Sequence, residues 1–173
     1  HHADFIKDQC HKISRSIINY CIEHHAGTLV LGENKRWKQD CDMGSQNNQN
    51  FVSMPTGLLK QMIIYKASDA GIKTIMQEES YTSQADITAM DYIPVYGVDA
   101  ENAVFSGRRI SRSLYRCFNG MIINADCNGA ANIMRKAITD AWNSITDFSF
   151  LASPEVSGFH ELNPLSISVK GIA

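Results

Sequence analysis

KTIMQEESYTS, residues 73–83, begins as a strand and ends in two carboxylates and a turn. Thr74, Ile75 and Met76 suit a strand, and polar residues follow at once. A second segment belongs with it: NADCNGAANI, residues 124–133, opens on Asp126 and runs into helical periodicity. An acid at a strand end and another at a helix start are hard oxygen ligands on rigid elements, the kind of pair a divalent-metal nuclease uses. A solvated carboxylate at a strand end is the competing reading, and spacing alone leaves both open.

Outward from this stretch, the chain alternates helix and strand. Ala3 to His25 predicts an amphipathic helix with Ile6, Cys10, Ile13, Ile17, Tyr20 and Cys21 on its apolar face, closed by Gly27. Thr28 to Gly32 is an apolar run of strand length. A second helix follows Met54-Pro55, with Thr56 as N-cap, a stripe through Leu58, Leu59, Met62, Ile63, Tyr65, Lys66 and Ala70, and Gly71 as its stop. Ile72 to Gln77 is the next strand. Short connections in this rhythm predict an α/β fold with a mainly parallel core, whose sites gather at the carboxyl ends of the strands. Glu33, Lys35, Glu78 and Glu79 fall at that edge. Asp126 to Trp142 returns to helix, with Ala130, Ile133, Met134, Ala137, Ile138 and Ala141 on one side. Beyond Asp147 the sequence loses period and reads as a surface tail.

Basic residues cluster in two places. Lys35, Arg36, Trp37 and Lys38 follow the first strand, ahead of an Asn/Gln-rich loop. A cation cluster around an aromatic can grip a phosphate backbone and stack a base; it can equally be an exposed loop whose tryptophan packs inward. Arg108, Arg109, Arg112 and Arg116 lie in VFSGRRISRSLYR, which alternates like a small antiparallel insertion spanning residues 84–122. Charge guarding an edge strand is the alternative to nucleic-acid contact there.

Composition limits the classes. With 173 residues, 44% hydrophobic and 20% charged, the chain can bury the core of one globular domain. A formal charge of −2 excludes coating of nucleic acid by bulk attraction while leaving local patches. Cys10, Cys21, Cys41, Cys117 and Cys127 are scattered without a C-x-x-C pair, which predicts reduced thiols in a cytoplasmic protein. No apolar run approaches the roughly 20 residues of a membrane span.

QEESYTS with NADCNGAANIMRK, preceded by LGENKRWKQ, NNQNF and LLKQMIIYKASDAGIK, resembles the carboxyl-terminal half of the TnpB (OrfB) transposon-encoded proteins, relatives of type V CRISPR effectors. The resemblance runs from about Ile6 to Lys136. It implies an RNase H-like, RuvC-type nuclease fold, an Asp-Glu-Asp triad with magnesium or manganese, and DNA and a guide RNA as partners. It places the family's glutamate on Glu79, with Glu78 as the alternative, and the last aspartate on Asp126. The family's Gly-Ile/Val-Asp-x-Gly strand is missing from this sequence, so the opening strands of the fold are expected to be absent. Residues 1–146 then form a partial nuclease domain and 147–173 its tail. Most members also carry a zinc ribbon built from C-x-x-C pairs; this chain has none and resembles a branch with IPVYG and FSGRR in that slot.

These features imply a metal-dependent DNA endonuclease in transposition that does not cut alone, because two carboxylates without a third hold metal weakly. A DNA- or RNA-binding or assembly module is the alternative, and an inactive stable fragment is a third. A sheet edge left open by the missing strands implies pairing with a second copy. Metal analysis of the purified chain should find no stoichiometric zinc, since no cysteine and histidine set has four-ligand spacing; one tightly held zinc per chain would overturn this reading.

Overall fold

The computed structural model describes residues 2–34 and 55–155. Of these, 2–29 and 55–74 form one compact unit, and 30–34 and 75–155 form another. The elements are α1 (His2–Glu23), β1 (Thr28–Glu33), α2 (Thr56–Asp69), β2 (Lys73–Glu78), β3 (Arg108–Arg109), β4 (Leu114–Arg116), β5 (Ile122–Asn124) and α3 (Ala125–Ala137). Short 3-10 turns occupy Ala100–Asn102 and Ser149–Ala152. The protein is mixed α/β with small sheets: β1 pairs with β2, and β3-β4-β5 form an antiparallel sheet. The single mainly parallel core expected from the helix-strand rhythm is not what the described residues form, because three of the five described strands pair in a separate antiparallel sheet.

In the first unit, α1 buries Cys10, Ser14, Ile18 and Cys21, while Tyr20 is exposed. This face is displaced by about one residue from the stripe that apolar spacing predicts, and Ser14 explains the shift. The ammonium of Lys66, a buried residue of α2, donates to Ser14 Oγ at 2.6 Å and to His11 O at 2.8 Å. The first helix ends at Glu23, four residues before Gly27. His25 takes a left-handed conformation (φ 54°), and the amide of Ala26 reaches back to Cys21 O at 2.8 Å. Gly71 closes α2 in the expected way, with φ 72° and the amide of Ile72 on Ala67 O at 2.8 Å. Thr56 is the first helical residue, and Pro55 stands at the N-cap.

The second unit has a core of Ile87, Tyr115, Cys117, Ile123, Ala125 and Ala131, joined by Phe148 and Leu151. The period fades after Asp147, yet Phe148 and Leu151 are buried, and Phe148 meets the ring of Trp142 edge-on at 6.0 Å. Trp142 in turn donates from Nε1 to Ala131 O at 3.0 Å. The regular turns of α3 stop at Ala137, short of the expected Trp142. Tyr115 faces Ile123 across β4 and β5, and its hydroxyl donates to Gln84 O at 2.6 Å. Burial, then Asp86 and Asp91, push this phenol well above its usual pKa. Gly107 must be glycine here, since a Cβ would collide with the Tyr115 ring and with Arg116 O.

Buried carboxylates tie the insertion together. Asp86 accepts from the amides of Thr88 (2.8 Å) and Phe118 (2.6 Å) and from Thr88 Oγ1 (2.7 Å). Asp91 accepts from the amides of Asp86 (2.9 Å) and Ser106 (2.8 Å) and from Ser106 Oγ (2.5 Å). Segments around residues 86, 106 and 118 are thereby joined through two side chains. Burial pushes the Cys117 thiol up to about 11, so this cysteine stays protonated at neutral pH. Asp86→Ala should destabilise the chain by about 3 kcal/mol in urea unfolding, because buried amides lose a charged acceptor; a change under about 0.5 kcal/mol, the level of an ordinary surface substitution, would mean that the network does not hold the insertion.

Candidate nuclease site

The two adjacent glutamates at the end of β2 have different fates. Glu78 Oε2 accepts from Lys136 Nζ at 2.6 Å, and its Oε1 accepts from the amide of Ser80 at 2.6 Å. Lys136 also reaches Ser80 O (3.2 Å) and Pro94 O (3.4 Å). Burial works against the charge of Glu78, but the hydrogen bonds from Lys136 and Ser80 outweigh it and hold its carboxyl below the usual range. Glu78 is therefore spent on joining β2 to α3. Glu79 points elsewhere: its carboxylate lies where a Cβ on Gly32 would be, beside Ile133 of α3. It is half-buried and has no ion-pair partner among the described residues. A cleft of about 440 Å³ surrounds it, lined by residues 78–83 with Asn34, Val95 and Tyr96.

The turn after β2 is fixed by α3. Asn132 donates from Nδ2 to Thr82 O (3.0 Å) and Ala85 O (2.7 Å). Asn128 donates to Ala85 O (2.9 Å) and accepts from the amide of Ile87 (3.2 Å). Arg135 donates to Asn132 Oδ1 (3.1 Å) and to Asp91 O (2.5 Å). Both asparagines are fully buried. Sequence reasoning passed over them, although their four-residue spacing on a helix that starts with an acid was the available signal. Tyr81 is held here in the left-handed region (φ 62°), a conformation that costs a non-glycine residue about 1–2 kcal/mol.

Asp126 sits in the first turn of α3, where Asn124 caps the helix by accepting from the amides of Asp126 (2.9 Å) and Cys127 (3.0 Å). Its side chain is 83% exposed and pairs with Arg109 at 3.3 Å. Positions 126, 129, 133 and 136 fall on one side of the helix, so Asp126 shares the face that Ile133 and Lys136 turn toward Glu79 and Glu78. It lies seven residues before Ile133, about 10 Å along the axis. The cleft gathers Glu78 and Glu79 and does not include Asp126. Among the described residues no three acidic, histidine or cysteine side chains form a metal-binding group.

The arginines divide in the same way. Arg109 is tied to Asp126 and to the carbonyls of Ser111 (3.2 Å) and Arg112, closing its own turn. Arg108 and Arg116 stand directly opposite in the β3-β4 register, both exposed. Like charges so placed repel, and neither has an acidic partner among the described residues. Arg112 is exposed. Lys35, Arg36, Trp37 and Lys38 lie outside the described residues.

Residues 57–133, from α2 through most of α3, match the family described as Cas12f1-like, TNB domain. The chain is also 33% identical over 132 residues to the CRISPR-associated endodeoxyribonuclease Cas12f1 of Sulfoacidibacillus thermotolerans, covering 76% of this chain and 27% of that protein. It is 30% identical over 141 residues to the CRISPR-associated endodeoxyribonuclease Cas12f2 of Micrarchaeota archaeon (strain CG1_02_47_40), covering 76% and 24%. These matches relate the chain to the TnpB and type V effector family. It spans about a quarter of the length of these two relatives. The matched segment spans Glu78, Glu79, Asp126, Asn128 and Asn132.

Glu78 has its folded pKa lowered from 4.5, so the stability it contributes is complete above that value and is lost as pH falls through the lowered one. Lys136→Met should therefore cost about 1–3 kcal/mol at neutral pH, and the difference from wild type in urea unfolding should shrink once Glu78 protonates. A penalty independent of pH would show that Lys136 acts through packing alone.

Proposed function

We propose that this chain is the carboxyl-terminal part of a transposon-associated, RNA-guided DNA endonuclease, with Glu79 and Asp126 among its metal-holding catalytic carboxylates. The observation that carries the proposal is Glu79: a carboxylate without an ion-pair partner among the described residues, at a strand end, in a cleft whose turn is clamped to the helix that has Asp126 in its first turn. Glu33 closes the neighbouring strand β1 and is a third candidate from the same edge. The donors fit a hard divalent ion in kind, since all are carboxylate oxygens. They fall short in number, and a further aspartate from elsewhere in the parent protein completes the set, within an RNase H-like fold.

Glu79, Asp126 and Glu33 would hold magnesium or manganese, which when bound activates water and offsets charge at the leaving oxygen. The residues of this chain do the positioning. Lys136 removes Glu78 from competition by pairing with it, and the Asn132 contacts fix the backbone that aims Glu79. The Arg109 pair with Asp126 is exposed and worth at most about 1 kcal/mol, so a divalent ion can displace it. DNA and a guide RNA are the partners in this reading. The facing Arg108 and Arg116 favour the second reading, a nucleic-acid-binding module, because a phosphate between them relieves their repulsion.

The test is guide-directed, magnesium-dependent cleavage by the full-length parent. Glu79→Gln and Asp126→Asn should each lower the rate by about 10²-fold or more, the scale of losing one group that stabilises the transition state, and Glu33→Gln should also lower it. Glu78→Gln should cut at a near-normal rate. Full activity in Glu79→Gln beside loss in Glu33→Gln would move the site from the end of β2 to the end of β1, and full activity in all of them would leave the binding-module reading.

A further inference from the structure

Tyr81 is near-parallel to two other rings. Its centroid is 6.4 Å from that of Tyr96, with 12° between the planes, and 6.3 Å from that of Phe105, with 23°. Aromatic pairs span about 4.5–7 Å between centroids, so both pairs sit toward the loose end of that range. The separation is close to twice the ~3.4 Å spacing of successive stacked bases. Tyr81 and Tyr96 both line the cleft that holds Glu79, and Tyr96 is 48% exposed.

The backbone of Tyr81 provides a second, independent observation. A non-glycine residue at φ 62° persists only where the surroundings over-determine it, and such outliers concentrate at ligand clamps. The surroundings here do so on both sides of the residue. Thr82 bonds back to Glu79 O through its amide (3.3 Å) and hydroxyl (2.7 Å), while the amides of Gln84 (3.0 Å) and Ala85 (3.1 Å) bond to Tyr81 O. The Asn132 carboxamide then fixes Thr82 O. The unusual conformation sets the direction in which the ring leaves the turn that follows Glu79.

We infer that Tyr81 and Tyr96 form a stacking slot that receives one unpaired nucleobase of a single strand, next to the phosphate presented to Glu79. This rests on the nuclease reading above and adds to it a positioning device. A strained tyrosine with a parallel partner holds a base by its face, which every base offers, so the slot fixes the register of the strand and not its sequence. A duplex cannot enter, because its bases are stacked on one another.

The probe is a short oligodeoxythymidine carrying one 2-aminopurine, titrated with the whole chain. Stacking on a ring should quench the 2-aminopurine fluorescence. Tyr96→Leu keeps apolar contact but removes the ring face, and should weaken binding about tenfold, which is ~1.4 kcal/mol, with loss of quenching and an unchanged salt slope. Tyr96→Trp should restore both. Tyr96→Leu binding and quenching like wild type, beside intact salt-dependent binding, would overturn the slot and leave the nuclease reading standing. Absence of salt-dependent binding by the wild type would overturn the slot together with the nucleic-acid reading.

Discussion

Asn128 and Asn132 lie one helical turn apart on α3, and their carboxamides, shut off from water, take their partners from the backbone of residues 82–87. A buried amide that loses its partner carries a penalty of about 1–3 kcal/mol, so these contacts admit few alternative positions for the turn. Everything placed by that turn inherits the constraint. Tyr81 is locked into its left-handed conformation, and Glu79 is aimed at Gly32, where the missing side chain makes room for its carboxylate. The Lys136 pair with Glu78 fastens the end of β2 to the same helix. The candidate site is thus assembled by one helix gripping one turn.

Two chemically identical neighbours acquire different roles through what surrounds them. Glu78 meets an ammonium and an amide, which hold it charged and occupied. Glu79, one residue later, leaves the strand on another side and keeps its carboxylate in the cleft. Asp126 faces an exposed guanidinium, a contact that water and salt weaken. The gradient from a partly buried, firmly paired acid to one without an ion-pair partner is what separates a structural carboxylate from one available to a ligand.

Asp86 and Asp91 each collect amides from separate loops, so two side chains join segments around residues 86, 106 and 118. Burial keeps Cys117 protonated and Tyr115 un-ionised, while amide and hydroxyl donors meet the side-chain oxygens of the two aspartates.

Local pattern settled what local physics controls. Strand-compatible Thr74 to Met76 and the glycine stop at Gly71 can be read from neighbouring residues alone, because propensities and caps act over one or two turns. The family relationship was legible too, since it lies in motifs and not in contacts. Tertiary structure decided the rest. Spacing left Glu78 and Glu79 interchangeable, and only Lys136, 58 residues from Glu78 in sequence, distinguishes them. The buried face of α1 shifted because Lys66, 52 residues away from Ser14, needs that hydroxyl. Phe148 and Leu151 looked like the start of a tail until the core beneath them existed to receive them. Each of these depends on desolvation by partners distant in the chain, a quantity that no window of sequence contains and that arises only when the fold brings the partners together.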